Sequence, residues 1–254
     1  MKTLKKNIYF PILFLALIIS CNKSGKTEAE QKTDSITRKN LSENTENGTA
    51  NDTSHAQSEF SKTGAKISDF VPKAYEIQYE AEGDLNQDGL SDAAVVLRKK
   101  TDTLAERTVL ILLKNGDKTY HLDKISKKVF PAEYNEDNYK IYDTEDISID
   151  KGQLSINLYA SGPSGNLLST FKYLNRNLIL TYIETYNMGA GSHQALYYEV
   201  MKGNLTQEVV NTMEEEMLSK SKTFHLNKKQ LLFEDTSPEE VIQKAYHSID
   251  SEET

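Results

Sequence analysis

Two short unbroken apolar runs, Ala93 to Leu97 (AAVVL) and Val109 to Leu113 (VLILL), have the pattern of central strands covered on both faces, and they are expected to pair or lie as near neighbours. Asn115-Gly116-Asp117 then marks a turn toward a short strand around Tyr120. The acidic, tyrosine-bearing stretch from Phe130 to Asp146 shows no readable period. Beyond it a meander is expected: Ile147 to Ile149, Leu154 to Tyr159, Leu168 to Leu174, Leu178 to Tyr186, Ala195 to Met201 and Leu205 to Val210. Leu154, Ile156 and Leu158 alternate with Ser155, Asn157 and Tyr159, as in a sheet with unlike faces. Asp150-Lys151-Gly152, Asn175-Arg176-Asn177 and Lys202-Gly203-Asn204 supply connecting turns. Two helices are expected at the end. Val209, Val210, Met213, Met217 and Leu218 recur at helical spacing, and Ser237-Pro238-Glu239-Glu240 places Ser as N-cap, Pro at the first position and Glu in the first turn. The class is mainly β, a β-rich α+β fold of antiparallel hairpins and a meander with one or two C-terminal helices.

The chain's first residues have a different character. Lys2, Lys5 and Lys6 precede an apolar run from Ile8 to Ile19. That run is shorter than the roughly 20 residues a membrane-spanning helix needs, and it matches the core of an export signal. Ile18-Ile19-Ser20-Cys21 resembles a bacterial lipobox, although Ile stands where Leu is usual and where Ala or Ser is usual. The resemblance implies that residues 1–20 are a lipoprotein signal peptide and that Cys21, the single cysteine, is acylated. Residues 21–66 then comprise the lipidated cysteine and a disordered tether, because Ser, Thr, Asn, Gln, Glu and Lys bury too little apolar surface to offset the ordering entropy. Residues 67–254 are of single-domain size. The expected location is a bacterial cell envelope, with the outer membrane as the lipid-anchored surface.

Between the strands expected at Tyr75 to Glu82 and Leu90 to Arg98 lies GDLNQDGLSD. Asp84, Asn86 and Asp88 occupy alternate positions, Gly89 permits a sharp bend, Leu90 offers its carbonyl and Asp92 follows. Hard oxygen donors in this spacing suit Ca²⁺, which also relieves the repulsion among the carboxylates. An EF-hand requires an acidic residue where Val95 stands. The loop instead resembles the DxDxDGxxD calcium hairpin of FG-GAP and VCBS repeats, with Asn86 replacing one Asp and lowering the ligand charge. The motif comes once, so a full propeller with several blades is not expected. The resemblance implies a structural Ca²⁺ held by Asp84, Asn86, Asp88, the Leu90 carbonyl and Asp92.

The net charge of −8 argues against a nucleic-acid partner. His55, His121, His193, His225 and His247 form no HExxH, and neither Gly162-Pro163-Ser164-Gly165 nor Gly189-Ala190-Gly191-Ser192-His193 has the GxSxG form. No catalytic residue is therefore assigned. The readings left open are a binding module for an envelope protein or glycan, an envelope hydrolase with a structural calcium site, and a purely structural envelope protein. If the meander runs up and down, Ser161 to Asn166 and Asn187 to Gln194 fall together at one end of the sheet, opposite Asn175 to Asn177. Ser164, Asn166, Ser192 and His193 are then the candidate ligand-binding side chains.

Overall fold

The computed structural model describes residues 59–162 and 165–250. The signal segment, Cys21, the tether up to residue 58 and Ser164 lie outside the described residues. The fold is mainly β: two antiparallel sheets and a C-terminal helix in a single domain that closes neither a barrel nor a propeller. The first sheet takes β1 (Thr63–Gly64), β2 (Tyr75–Gly83), β3 (Asp92–Lys99), β4 (Thr108–Lys114) and β5 (Tyr120–Ser126) in the order β1-β5-β4-β3-β2. The second is a seven-stranded meander of β6 (Thr144–Asp150), β7 (Gln153–Tyr159), β8 (Asn166–Leu174), β9 (Asn177–Met188), β10 (Ser192–Glu199), β11 (Asn204–Asn211) and β12 (Ser219–His225).

The unbroken apolar runs of β3 and β4 are explained by cover on both faces. Ala94, Val96, Val109 and Ile111 pack into the main core with Leu154, Ile156, Phe171, Ile183 and Tyr198 of the second sheet. Ala93, Val95, Leu97, Leu110 and Leu112 point the other way, against Phe60, Phe70, Tyr75 and Tyr120. Phe60 corrects the expected tether boundary. It is 3% exposed, and Thr63 and Gly64 pair with His121 and Tyr120, so the folded domain begins before residue 67. A single aromatic residue in a polar stretch carries no period, and its burial depends on the uncovered face of a sheet formed later in the chain.

The meander turns tightly at one end. Lys151-Gly152 and Asn175-Arg176 both have positive φ at their two central positions (50° and 72°, 50° and 68°), the geometry that matches strand twist in two-residue hairpins. At the C-terminus one expectation holds and one is corrected. α1 (Pro238–Asp250) starts as the sequence indicates, with the Glu240 amide donating to Ser237 Oγ at 3.3 Å. The helix expected across Val209 to Leu218 is instead the hairpin β11–β12, in which Val209 and Val210 pair with Lys220 and Ser219. Met213, Met217 and Leu218 are exposed in its connection, Met213 by 81%. Their helical spacing is coincidental, because the β-branched pair completes a ladder beside β10 and the following residues bury nothing.

One polar cluster ties the two sheets. Arg107, 0% exposed, donates Nη1 and Nη2 to Glu145 Oε2 and Oε1, each at 2.7 Å. Its remaining donors reach the Pro131 carbonyl and Gln78, Tyr79 donates to Glu145, and the guanidinium lies 4.3 Å from the Phe130 ring centre. Every charge is thereby paired and hydrogen-bonded. Removing one partner strands the other in a dry interior, so Glu145→Ala is expected to lower stability by about 3–5 kcal/mol. An Arg107→Met, Glu145→Leu double variant should lose clearly less. Chemical denaturation of the three chains checks this, and equal losses for single and double variants would refute the assignment.

Candidate functional site

The acidic loop closes the β2–β3 hairpin, whose last ladder pair is Gly83 with Asp92. Its side chains are engaged mostly with the loop itself. Asp84 Oδ2 accepts from the Gly89 amide at 3.0 Å, Asn86 Oδ1 from the Asp88 amide at 2.9 Å, and Asp88 Oδ1 from the Leu90 amide at 2.8 Å. Asn86 Nδ2 donates to Asp88 Oδ2 at 3.0 Å. Positive φ at Gln87 (64°) and Gly89 (87°) folds the chain back over these groups. Asp84 Oδ1 is different: it is buried with no hydrogen-bond partner. A carboxylate oxygen in that condition carries a desolvation cost that a cation would remove.

Asp92 has a second task. It is fully buried, with Oδ2 accepting from the Leu85 and Asn86 amides (3.0 and 3.1 Å) and Oδ1 from the Lys114 amide (3.0 Å). Burial pushes its carboxyl above the usual carboxylate range, opposed by those three donors. Asp92 therefore fastens the loop to the end of β4 as well as standing in the ligand sequence. Among the described residues no three His, Cys, Asp or Glu side chains form a ready metal cluster. The donors nevertheless fit Ca²⁺ in kind: all are oxygens, and Asp84 has one without a partner.

The opposite end of the meander holds the other candidate residues. Asn166 pairs with Tyr186, and His193 with Met188, so the connections after β7 and β9 do lie at one end of the sheet. The acidic loop is at the far end, where Gln87 Nε2 approaches the Lys151 carbonyl at 3.4 Å and Gly83 packs against Ile149. Of the three described candidates, Asn166 and His193 lie on the face of Tyr186, and Ser192 lies on the other with Gln194. Asn166 lines a cavity of about 210 Å³ between β8–β10 and α1. His193 is not in its lining and hydrogen-bonds Tyr186 Oη through Nδ1 at 2.9 Å, while Ser192 stands exposed at the head of β10.

Sequence reasoning missed most of the residues around this cavity. Asn187 and Gln194, a cross-strand pair, and Glu239, Gln243 and Tyr246 of α1 line it with Asn166. A signal was present in α1, where Glu239, Ile242, Gln243 and Tyr246 follow helical spacing and mix polar groups into the stripe that faces the sheet. Gly165 is required here. Its φ is +65°, and a Cβ would run into the Asn187 carboxamide.

Other tyrosines occupy the remaining sheet face. Tyr182 donates to Glu184 and Tyr197 to Glu208, both with long hydrogen bonds of 3.3 and 3.4 Å. Burial, then the neighbouring Glu184, pushes Tyr182 up to about 12. Tyr142, beneath the cavity, is also raised, first by burial and then by Glu239 and Glu145, so it stays a protonated donor. Because the folded-state values lie above the ~10 of an unfolded tyrosine, their stabilising contribution is complete below about pH 10 and is lost as pH rises toward 12. Ultraviolet titration alongside circular dichroism should show a subset of tyrosines ionising only as the fold is lost. Ionisation of every tyrosine at its ordinary midpoint in a folded chain would contradict this. Comparison with protein-family models, with curated proteins and with solved structures finds no match for the chain.

Proposed function

We propose that this chain is a calcium-binding module of a bacterial cell envelope, anchored through acylated Cys21, in which the ion is structural and the far end of the meander meets a ligand. The observation that carries the ion is the buried, partnerless Asp84 Oδ1 in a loop whose other side-chain donors are also oxygens. The FG-GAP-like spacing supports the same assignment. Asp84, Asn86, Asp88, the Leu90 carbonyl and Asp92 are the proposed ligands. The ion would replace the contacts between Asn86 and Asp88 and neutralise the local negative charge. No step of chemistry is assigned to it; its task is to stiffen the β2–β3 corner against the β6–β7 turn.

Calorimetry tests this directly. Extracellular calcium modules bind at about 10⁻⁴ to 10⁻³ M. With roughly 2 mM ion and a dissociation constant of roughly 0.1 mM, binding adds about 1.8 kcal/mol to stability. Chelation should lower the melting temperature, and Asp88→Ala should remove most of the calcium-dependent difference while leaving the ion-free chain folded. A wild-type chain that releases no heat with calcium and melts identically with and without chelator would end the proposal.

The anchor has its own test. Cys21→Ala should block acylation and leave the chain unprocessed, shifting its mobility and its partition into detergent. A mature wild-type chain found by mass spectrometry to carry no acyl group would disprove the anchor without touching the calcium assignment.

A further inference from the structure

The cavity against α1 has a floor and a rim of different chemistry. Leu167, Thr185 and Leu196 stand in one row across β8, β9 and β10. With Ile242 and Tyr142 they form a base that is apolar except for the Thr185 and Tyr142 hydroxyls, and all but Thr185 are buried. Farther along the strands the lining turns polar. Asn187 and Gln194 face each other there, and among the described residues neither carboxamide has a hydrogen-bond partner. From the other side α1 brings Gln243, whose Nε2 donates to Glu239 Oε1 at 3.2 Å, with the Tyr246 ring beside them.

This composition selects a ligand class. No Lys or Arg lines the cavity, and its one basic side chain, His247 at the mouth, is offset by the Glu239 carboxylate in the same lining, so no fixed positive charge there selects a phosphate or carboxylate. Carboxamides both donate and accept, which is what adjacent hydroxyl groups require. A tyrosine ring and an apolar floor suit the C–H face of a small ring. At about 210 Å³ the space is below the roughly 300–1,000 Å³ typical of drug-sized ligands, and so has room for one ring and not an extended chain.

We propose that the cavity between α1 and β8–β10 binds a single neutral, polyhydroxylated ring of hexose type, with Asn187, Gln194 and Gln243 reading its hydroxyls. The proposal rests on the reading of the chain as an envelope binding module, but its site and the calcium loop lie at opposite ends of the second sheet. The ring can come from a free sugar or from the end of a glycan chain, since the chemistry at the cavity is the same. Gln243 and His247 are exposed at the mouth, so a chain end has a way in.

The test is titration calorimetry on the full chain with glucose, galactose, N-acetylglucosamine and the trimer of N-acetylglucosamine, using glucuronate, inorganic phosphate and choline as charged controls. At least one neutral sugar should bind with a dissociation constant of about 1 mM. A trimer that binds as well as its monomer identifies a chain end as the ligand; a monomer that binds alone identifies the free sugar. Gln194→Leu should weaken binding about tenfold, the loss expected when a hydroxyl is left without its partner. Gln243→Ala, on the exposed side of α1, should also weaken it without lowering the melting temperature. No heat from any neutral sugar at about 20 mM overturns the proposal. So does binding of glucuronate or choline as tight as that of the best sugar, or unchanged affinity in both variants. Asp88→Ala should bind the sugar like the wild type, so lost calcium binding with retained sugar binding separates a failure of the ion assignment from a failure of this one.

Discussion

The ion pair of Arg107 with Glu145 is the constraint on which the arrangement of the two sheets depends. β2 and β6 are the outermost strands of their sheets, and no ladder joins them. Glu145 lies on β6, Gln78 and Tyr79 on β2, Arg107 just before β4 and the Pro131 carbonyl after β5, so four segments converge on one guanidinium and one carboxylate. Apolar packing alone is non-directional and would tolerate a slide of one sheet over the other. A fully buried pair with two parallel hydrogen bonds tolerates little, because each displaced donor is left dry. The Arg98 network with Glu76 and Glu133 extends the polar contact along the same strand.

How much of this was legible in the sequence depended on whether an element's pattern is local. β3 and β4 could be read because both faces are covered and each carries five consecutive apolar residues. β7 could be read because one face is. The N-cap and first turn of α1 lie in four consecutive residues, and the two-residue turns of the meander likewise announce themselves. The stretch from Phe130 to Asp146 resisted reading for the opposite reason. Its buried groups, Phe130, Glu133, Tyr142 and Glu145, have partners as far away as Gln78, Tyr79, Arg98 and Arg107, and these partners make a charged residue an interior one. Phe60 belongs to the same class. The misread hairpin β11–β12 shows the converse error, since Met213, Met217 and Leu218 form a helical stripe with no core beneath it.

The acidic loop was identified from spacing, yet the most informative atom in it was not. That Asp84 Oδ1 lacks a partner follows from how the loop packs, which spacing does not determine. Similarly, the end of the meander carrying the two glycine-bearing connections could be placed from strand order alone, while the division of its residues between two faces needed the register. Asn166 is paired with Tyr186 and His193 is hydrogen-bonded to it, so both belong to one face, while Asn187 and Gln194 turn to the cavity on the other.

That division has a physical consequence for how ion and ligand relate. The acidic loop meets the meander at its tight-turn end, through Gln87 at Lys151 and Gly83 at Ile149, and sends Leu85 into the core. The cavity is formed at the other end by strands β8–β10 and by a helix that is joined to no ladder. Between the two lies the close-packed interior of Leu154, Phe171, Leu178 and Tyr198. An interior of that kind transmits rigidity and not a switch. Calcium at the loop would therefore set how firmly the sheets are held and leave ligand affinity at the cavity almost unchanged. The element free to respond to a ligand is α1, whose Ile242, Ala245 and Ile249 bury one stripe while Glu239, Gln243 and His247 remain at the surface.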